Sequence, residues 1–196
     1  MCGVAGLITQ NPETRIGAML KAIEHRGRDD EGVWTSSPIN DEGQGVCFGH
    51  RRLSIIDTSA AGHQPMLSHD GRYVLILNGE IYNYRELREQ LTSHTFRTQT
   101  DTEVLLAAWA EWGEDCLPRL NGMFAFALWD ERERTLFLVR DRVGIKPLYY
   151  ATEGRQDAGA PNSFVFASEI KSILASGLVK AELDQERLHQ FLTFLW

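Results

Sequence analysis

Apolar residues in the first part of the chain form short runs, with one helical stretch between them. The run CGVAGLIT at residues 2–9 reads as a buried strand, and Ile16, Met19, Leu20 and Ile23 then recur at the spacing of a helix face. Three later runs, GVWTS, GVCFGHRRLSI and RYVLILNG, are rich in β-branched and aromatic residues and are separated by Gly, Pro and Asp. The pattern predicts a strand, a helix and three more strands.

Two adjacent helices are predicted next. Asn83, with Glu86 three residues later, is typical of a helix N-cap, and Thr100 with Glu103 repeats the signature. The second helix carries an apolar stripe, formed by Val104, Leu105, Ala108, Trp109 and Trp112.

The next apolar runs predict two strand pairs. MFAFALWD and TLFLVRD, joined by ERER, read as a hairpin that is almost continuously apolar, so both of its faces are expected to be covered. PLYYA and FVFAS predict a second pair, and the polar segment EGRQDAGAPNS between them predicts a surface loop.

Two helices are predicted at the end of the chain. EIKSILAS closes at Gly177, and a helix beginning at Asp184 has an apolar face that is expected to need a neighbour, formed by Leu188, Phe191, Leu192 and Leu195. The order of elements gives two blocks of strands with helices outside each block. It predicts an α+β protein in which two sheets pack together beneath outer helices.

Composition narrows the class of protein. The 196 residues are 43% hydrophobic and 24% charged, with a net charge of −7, which predicts one globular domain and argues against a nucleic-acid partner. No apolar stretch reaches the length of a membrane span and no signal peptide is visible, so a cytoplasmic protein without membrane contact is expected.

The cysteine and histidine patterns offer little support for metal chemistry. The three cysteines form no CxxC pair, which argues against a disulfide framework and a zinc site, and the six histidines form no HxH or HExxH spacing. Cys47 and Cys116 are interpreted as core residues. We therefore expect no metal ion in this domain.

Cys2 is the residue with the clearest chemistry. A side chain this small after the initiator Met permits removal of Met1, which leaves cysteine as the mature N-terminus. Its α-amine, with a pKa of about 7.7 to 8.0, can then act as base for its own thiol. The alternative is that Cys2 is simply an apolar first residue of a buried strand.

Further segments separate these two interpretations. CGVAG is followed, in order, by HRGRDDEG, FGHRRLSIID, NGEIYNYRELREQL, TDTEVLLAAW, LNGMFAFALWD, RDRVGIKPLYY and SEIKSIL. Together they resemble the glutaminase domain of glutamine-dependent asparagine synthetases, a class II glutamine amidotransferase of the N-terminal nucleophile (Ntn) hydrolase type. The resemblance covers essentially the whole chain and implies a four-layer αββα sandwich of two mainly antiparallel sheets.

The resemblance also implies residue roles. Cys2 is the nucleophile that forms a thioester with glutamine, and Asn78 and Gly79 stabilise the oxyanion. Arg52 binds the α-carboxylate of glutamine and Asp101 its α-ammonium. The remaining residues expected to line the glutamine pocket are Leu53, Ser54, Ile55, Ile56 and Glu80.

Each of these residues also has a simpler interpretation. Asn78-Gly79 is a common hairpin turn, although a helix signature rather than a second strand follows it. Asp101 suits a helix N-terminus through the helix dipole, and Glu80 suits a solvated loop. Arg51 neighbours Arg52 on the opposite face of its strand and is expected at the surface.

The resemblance implies that the chain hydrolyses L-glutamine to L-glutamate and ammonia for the ATP-dependent amidation of aspartate to asparagine. Residues 1–196 are expected to be one glutaminase domain, with 184–196 beginning a linker helix to a synthetase domain outside this chain. No cofactor is expected here, and ATP and Mg²⁺ are expected only in that synthetase domain. The implied partners are L-glutamine and the synthetase domain or a separate synthetase subunit, with a homodimer as one assembly to test.

Two alternative functions stay open, and the sequence differs from the family pattern at one position near the expected site. The chain could serve an enzyme that amidates another acceptor, or it could be a catalytically silent module that senses glutamine or scaffolds a partner. Arg28 replaces a proline of the family block, which adds a charge near the expected rim of the site.

Overall fold

The structure is a computed structural model that describes residues 1–153 and 163–194. Its strands are β1 (Gly3–Gln10), β2 (Asp30–Thr35), β3 (Gln44–Arg52), β4 (Met66–Leu67), β5 (Tyr73–Ile81), β6 (Gly122–Asp130), β7 (Thr135–Arg140), β8 (Tyr149–Glu153) and β9 (Ser163–Ala167). Its α-helices are α1 (Glu13–Ala22), α2 (Tyr84–Gln90), α3 (Asp101–Trp112), α4 (Ile170–Ala175) and α5 (Gln185–Phe194). The predicted loop between β8 and β9 falls almost entirely on residues 154–162, outside the described residues.

The strands form two antiparallel sheets. The first has five strands in the order β2-β3-β1-β9-β8, and the second has four in the order β4-β5-β6-β7. Three apolar clusters separate four layers: one lies between the sheets, one between the first sheet and helices α1 and α4, and one between the second sheet and helices α2 and α3. The predicted αββα architecture is confirmed.

The two-residue period of β5 decides which side chains enter the space between the sheets. Val74 and Ile76 belong to the cluster between the sheets, whereas Leu75 and Leu77 belong to the cluster under α2 and α3. Asn78 follows in the same alternation and is therefore directed between the sheets.

The expectation that both faces of the β6–β7 hairpin are covered is confirmed. Leu136 and Leu138 pack against the cluster between the sheets, and Phe137 and Val139 pack against the cluster under α2 and α3, although β7 is an edge strand and these side chains are only half-buried.

One prediction about local structure is wrong. Asn83 stands at the start of α2 but does not cap it. Its side-chain amide instead bonds the backbone of Arg119 and Asn121, each at 2.9 Å.

The other predicted cap is half correct. The Thr100 hydroxyl accepts the backbone N–H of Glu103 at 3.1 Å, as expected for the start of α3. The Glu103 carboxylate does not return the bond to Thr100, because it accepts the N–H groups of Arg97 and Thr98 in the preceding loop.

The C-terminal helix α5 leaves its apolar face exposed. Leu188, Phe191 and Leu192 are all solvent-exposed, and Leu195, the fourth predicted member of the stripe, lies outside the described residues. Within the described residues, none of the helices combines the length and apolarity that crossing a bilayer would need.

Candidate active site

A small cavity opens where the two sheets meet, at the start of β1. Gly3 pairs with Arg51, so the antiparallel ladder brings Cys2, before β1, next to Arg52 at the end of β3. The second sheet contributes the end of β5, and α3 contributes its first residue, Asp101. The cavity has a volume of about 110 Å³.

The cavity brings together all but one of the residues predicted for the site. These are Cys2, Arg52, Leu53, Ile55, Ile56, Asn78, Gly79, Glu80 and Asp101. Ser54 is the exception, because it does not line the cavity and its N–H donates to Asp29 Oδ2 at 2.7 Å. The expected contribution of Ser54 to the glutamine pocket stays a prediction. Arg28 is exposed and also lies outside the lining.

The Cys2 thiol is half-buried and contacts one backbone segment. Its Sγ lies 3.4 Å from the Leu53 nitrogen, which donates to it, and 3.6 Å from the Leu53 carbonyl oxygen. Desolvation raises the pKa of this thiol above its usual value, although the Leu53 N–H, the N-terminal charge and Arg52 act in the opposite direction. The resting thiol is therefore protonated at neutral pH, and it needs a base at the moment of attack.

Asn78 presents an unsatisfied amide to the cavity. The residue is fully buried, and neither its Nδ2 nor its Oδ1 has a hydrogen-bond partner among the described residues. Buried polar groups are rarely left in this condition, because each costs about 1–3 kcal/mol, so a group without a partner in a cavity indicates a ligand position. Asn78 lies within a regular strand, and the hairpin-turn interpretation of Asn-Gly is therefore wrong.

The Gly79 N–H lies on the free edge of β5. Two residues to either side, the N–H groups of Leu77 and Ile81 point away from β6, towards Gln64 Oε1 at 2.7 Å and Asp101 Oδ2 at 2.9 Å. The alternation of an antiparallel ladder places the Gly79 N–H on the same edge. Glycine is required here because a Cβ would lie 2.6 Å from the Phe124 Cα on the paired strand.

Arg52 brings a buried positive charge to the cavity. Its guanidinium donates to the backbone carbonyls of Ser59, at 2.7 Å, and Asp57. Within the described residues no carboxylate lies within ion-pair distance of it, and Gly62 leaves the space that its Nη2 occupies. A buried cation without a counter-ion is costly, so the arrangement suits an anionic ligand.

Asp101 supplies the opposite charge. It is buried, and its Oδ2 accepts the Ile81 N–H. Desolvation raises the pKa of this carboxyl to about 6, with backbone hydrogen bonds opposing the shift and the nearby Glu80 charge adding to it. A cation bound beside this desolvated carboxylate would stabilise its ionised form.

Arg51 turns away from the cavity, as its position in the strand predicts. It pairs with Glu31 at 2.6 Å and donates to the Leu20 carbonyl at 3.3 Å. Its side chain is only 16% exposed, so the expectation of a surface residue is wrong: the guanidinium lies between Glu31 and the Leu20 carbonyl of α1.

Sequence reasoning missed three polar residues around the site. His50 Nε2 lies 3.1 Å from the Leu77 carbonyl oxygen, and Gln64 accepts the Leu77 N–H, so side chains hold both backbone groups of the residue before Asn78. Burial lowers the pKa of His50 to about 4, which keeps it neutral. Lys146 lines the cavity, and its Nζ lies 3.1 Å from Met1 Sδ. The alternation of β3 indicated the direction of His50, but nothing in the sequence indicated its partner.

The other two cysteines are core residues, as predicted. Both are fully buried in helix–sheet clusters. Burial raises the pKa of Cys47 to about 11 and that of Cys116 to about 12, so neither is a competing nucleophile.

Comparison with known proteins identifies the family. The chain matches the family described as "Glutamine amidotransferase domain" over residues 1–196. Asparagine synthetase [glutamine-hydrolyzing] 3 of Bacillus subtilis is 42% identical to it, over 97% of this chain and 30% of that protein. A putative asparagine synthetase [glutamine-hydrolyzing] 2 of Methanocaldococcus jannaschii is 41% identical, over 89% of this chain and 35% of that protein.

More distant proteins share the domain or the fold. Amidase chry2 of Gibberella zeae is 36% identical over 91% of this chain and 27% of that protein. The solved structure of glutamine phosphoribosylpyrophosphate amidotransferase from B. subtilis superposes with a TM-score of 0.71 at 22% identity, covering 90% of this chain and 44% of that one. The chain spans about a third of the length of its curated relatives. Because the family match covers residues 1–196, the chain belongs to the glutamine amidotransferase domain family.

Proposed function

We propose that this domain hydrolyses L-glutamine to L-glutamate and ammonia through a thioester on Cys2. The observation that carries the proposal is one cavity lined by a thiol, a buried amide, a guanidinium and a buried carboxylate. Among the described residues the amide has no hydrogen-bond partner and the guanidinium has no carboxylate partner. These groups match the parts of glutamine: a reactive side-chain amide, an α-carboxylate and an α-ammonium.

Removal of Met1 prepares the nucleophile in this mechanism. The free α-amine of Cys2 accepts the thiol proton as sulfur attacks the side-chain amide carbon of glutamine, and the carbonyl π electrons move to oxygen. The tetrahedral intermediate then collapses: the C–N bond breaks, the proton on the α-amine passes to the leaving nitrogen, and ammonia departs. Water, deprotonated by the same amine, attacks the thioester carbon and releases glutamate and the thiol.

Asn78 and Gly79 stabilise the negative oxygen of the two tetrahedral intermediates. Asn78 Nδ2 has no hydrogen-bond partner among the described residues, and the Gly79 N–H lies on the edge of β5 that faces away from β6, so both groups are placed to donate into the cavity. Loss of one such donor typically costs about 2.7–4 kcal/mol of transition-state stabilisation. His50 and Gln64 fix the backbone of Leu77, so they orient the donors that follow it in the strand.

Arg52 and Asp101 bind the α-carboxylate and the α-ammonium of glutamine. A guanidinium can grip the α-carboxylate through two hydrogen bonds, and Asp101 can neutralise the α-ammonium. Leu53, Ile55, Ile56 and Glu80 complete the proposed glutamine pocket.

The ammonia acceptor is proposed from the relatives. We infer that the domain supplies a synthetase portion that uses ATP and Mg²⁺ to amidate aspartate, either fused to residues 1–196 or as a separate subunit. The proteins named asparagine synthetase support this, and the similarity to an amidase keeps amidation of another acceptor as a second candidate. The intact constellation of polar groups argues against a catalytically silent sensor.

The C-terminal helix fits the same proposal. We propose that residues from 184 onwards begin the connection to the synthetase portion and that this portion covers the exposed face of α5. The relatives are about three times as long as this chain, so they contain enough further chain to cover it. A homodimer is the alternative, and light scattering of the chain alone and of a longer chain separates the two.

Ammonia release by the purified chain tests the function directly. The wild-type chain, with an intact mass that lacks Met1, should release ammonia and glutamate in equal amounts from glutamine. Cys2→Ala should reduce the rate at least about 10⁴-fold because the nucleophile is lost. Cys116→Ala is the matched control, since it also removes a thiol, but from the core. A fully active Cys2→Ala chain would overturn the proposal, and full activity with Met1 retained would overturn the role of the amine.

A further inference from the structure

Three side chains able to bind a metal ion come together on the side of α3 away from the active-site cavity. His69 lies in the turn between β4 and β5, His94 lies between α2 and α3, and Glu103 belongs to the first turn of α3. One ligand atom from each lies within 4.8 Å of the other two. The three residues are far apart in the sequence, so no short metal-binding motif indicated them.

The distance between two of the ligands already suits zinc. His94 Nε2 lies 3.5 Å from Glu103 Oε1, and bond lengths of about 2.0–2.1 Å in a tetrahedral zinc site place neighbouring ligand atoms about 3.4 Å apart. This His94 nitrogen is buried and has no hydrogen-bond partner among the described residues. A contact of 3.5 Å is long for an N–H···O bond, so the direct pair leaves both atoms poorly satisfied.

Glu103 is held as a fixed, ionised ligand. Its Oε1 accepts the Arg97 N–H at 2.8 Å, and its Oε2 accepts the Thr98 N–H and hydroxyl, each at 2.7 Å. Hydrogen bonds of this kind orient metal ligands, and Oε1 keeps a lone pair for an ion.

The histidine rings are also arranged for a shared ligand. The His94 ring lies edge-on to Phe96 and beside His69, with ring centroids 4.6 Å apart in each pair. His69 is exposed in a turn, so its ring can rotate to bring its nitrogen from within 4.8 Å of the other two ligand atoms to the shorter distance that a shared metal ion needs. A cavity of about 450 Å³, lined also by Asp70 and Arg97, opens beside the cluster and leaves room for a water ligand.

We propose that His69, His94 and Glu103 form a binding site for one divalent metal ion of the zinc class, with water as the fourth ligand. Two nitrogen ligands favour Zn²⁺ or Co²⁺ over Mg²⁺, which prefers oxygen. The bound ion ties the turn before β5 to the first turn of α3, and it raises the stability of the folded chain by mass action.

The test measures Zn²⁺ binding by isothermal titration calorimetry at pH 7.5 in a Cys2→Ser chain, so that the active-site thiol does not bind the metal. The expected result is one Zn²⁺ per chain, a melting temperature raised by Zn²⁺ but not by Mg²⁺, and Co²⁺ absorption bands typical of four-coordination. His69→Asn and His94→Asn should each weaken Zn²⁺ binding at least tenfold. His189→Asn, an exposed histidine on α5, should leave binding unchanged.

His69→Asn is the decisive variant because its exposed side chain is not needed for packing, and its fold is checked by its melting temperature without metal. The proposal is wrong if the Cys2→Ser chain binds no Zn²⁺. It is also wrong if His69→Asn binds Zn²⁺ as tightly as the parent, or if His189→Asn weakens binding as much as His69→Asn does.

Discussion

The space between the two sheets has an apolar half and a polar half. On β3 the inward side chains run from Val46 and Phe48 to His50 and Arg52, while β5 runs from Ile76 to Asn78. On both sheets the inward side chains change from apolar to polar at the same end of the sandwich, which is the end near Cys2. In the apolar half burial itself is the stabilising term, whereas in the polar half the chain buries charges and an amide without full compensation. The comparison indicates that stability is concentrated in one half of this layer, and under the proposed function the other half recognises the substrate.

Asn78→Ala and Ile76→Ala should show the largest difference between the two halves, one in kcat and the other in the free energy of unfolding. Asn78→Ala removes an oxyanion donor and should lower kcat about 10²- to 10³-fold, with little change in KM and no loss of stability. Ile76→Ala, two residues earlier on the same face, should cost about 2–5 kcal/mol of unfolding free energy while kcat falls no more than a few-fold. Steady-state kinetics and urea unfolding of both variants measure this. Comparable kcat losses in the two would contradict the division.

Arg52→Ala should act on substrate binding. Loss of hydrogen bonds to a charged group costs about 1.5–3 kcal/mol, so the KM for glutamine should rise about 10- to 100-fold with a smaller effect on kcat. Arg51→Ala is the matched control because Arg51 lies on the other face of the strand and pairs with Glu31. Its KM should stay within a few-fold of the wild-type value, and the reverse ranking would show that the wrong arginine has been assigned.

Asp101→Asn should weaken glutamine binding but raise the free energy of unfolding, and the gain in stability should depend on pH. The folded-state pKa of about 6 lies above the usual value of 3.8, so folding disfavours the ionised form. The penalty is absent below about pH 4, grows as pH rises from about 4 to about 6, and levels off above that at no more than about 3 kcal/mol. Asparagine mimics the neutral form, so the variant should be more stable than wild type at pH 8 and equally stable at pH 4.

Glutamine binding should follow the opposite trend. The α-ammonium pairs with ionised Asp101, so the wild-type KM should rise as pH falls below about 6, and Asp101→Asn should bind weakly at every pH. Urea unfolding and KM measurements between pH 4 and 8 check both effects. A variant less stable than wild type at pH 8 would contradict the burial penalty, because it would show that the hydrogen bonds to the ionised carboxylate outweigh its desolvation.

Much of the fold could be predicted from the sequence because apolar residues recur with the periods of strands and helices. The apolar runs predicted the strands, and the helical spacing of Ile16, Met19 and Leu20 predicted α1. The prediction failed where a distant partner decided the outcome. Asn83 bonds the backbone next to β6 instead of capping its own helix.

The candidate site was predictable only in part, for the same reason. Period two separated Arg52 from Arg51, and the resemblance named the residues that converge on Cys2. The direction of Ser54 was not predictable, because its backbone is taken by Asp29, a residue from another loop. The pairing of His50 and Gln64 with Leu77 was also invisible, since it joins segments that meet only in the folded chain.

Covalent labelling of the purified chain with 6-diazo-5-oxo-L-norleucine, an electrophilic analogue of glutamine, tests the central claim most directly. Peptide mass spectrometry should find one adduct, on Cys2 in a peptide that lacks Met1, with Cys47 and Cys116 unmodified and with labelling slowed by glutamine. An adduct on either buried cysteine, or loss of glutaminase activity without modification of Cys2, would contradict the assignment of Cys2 as the nucleophile.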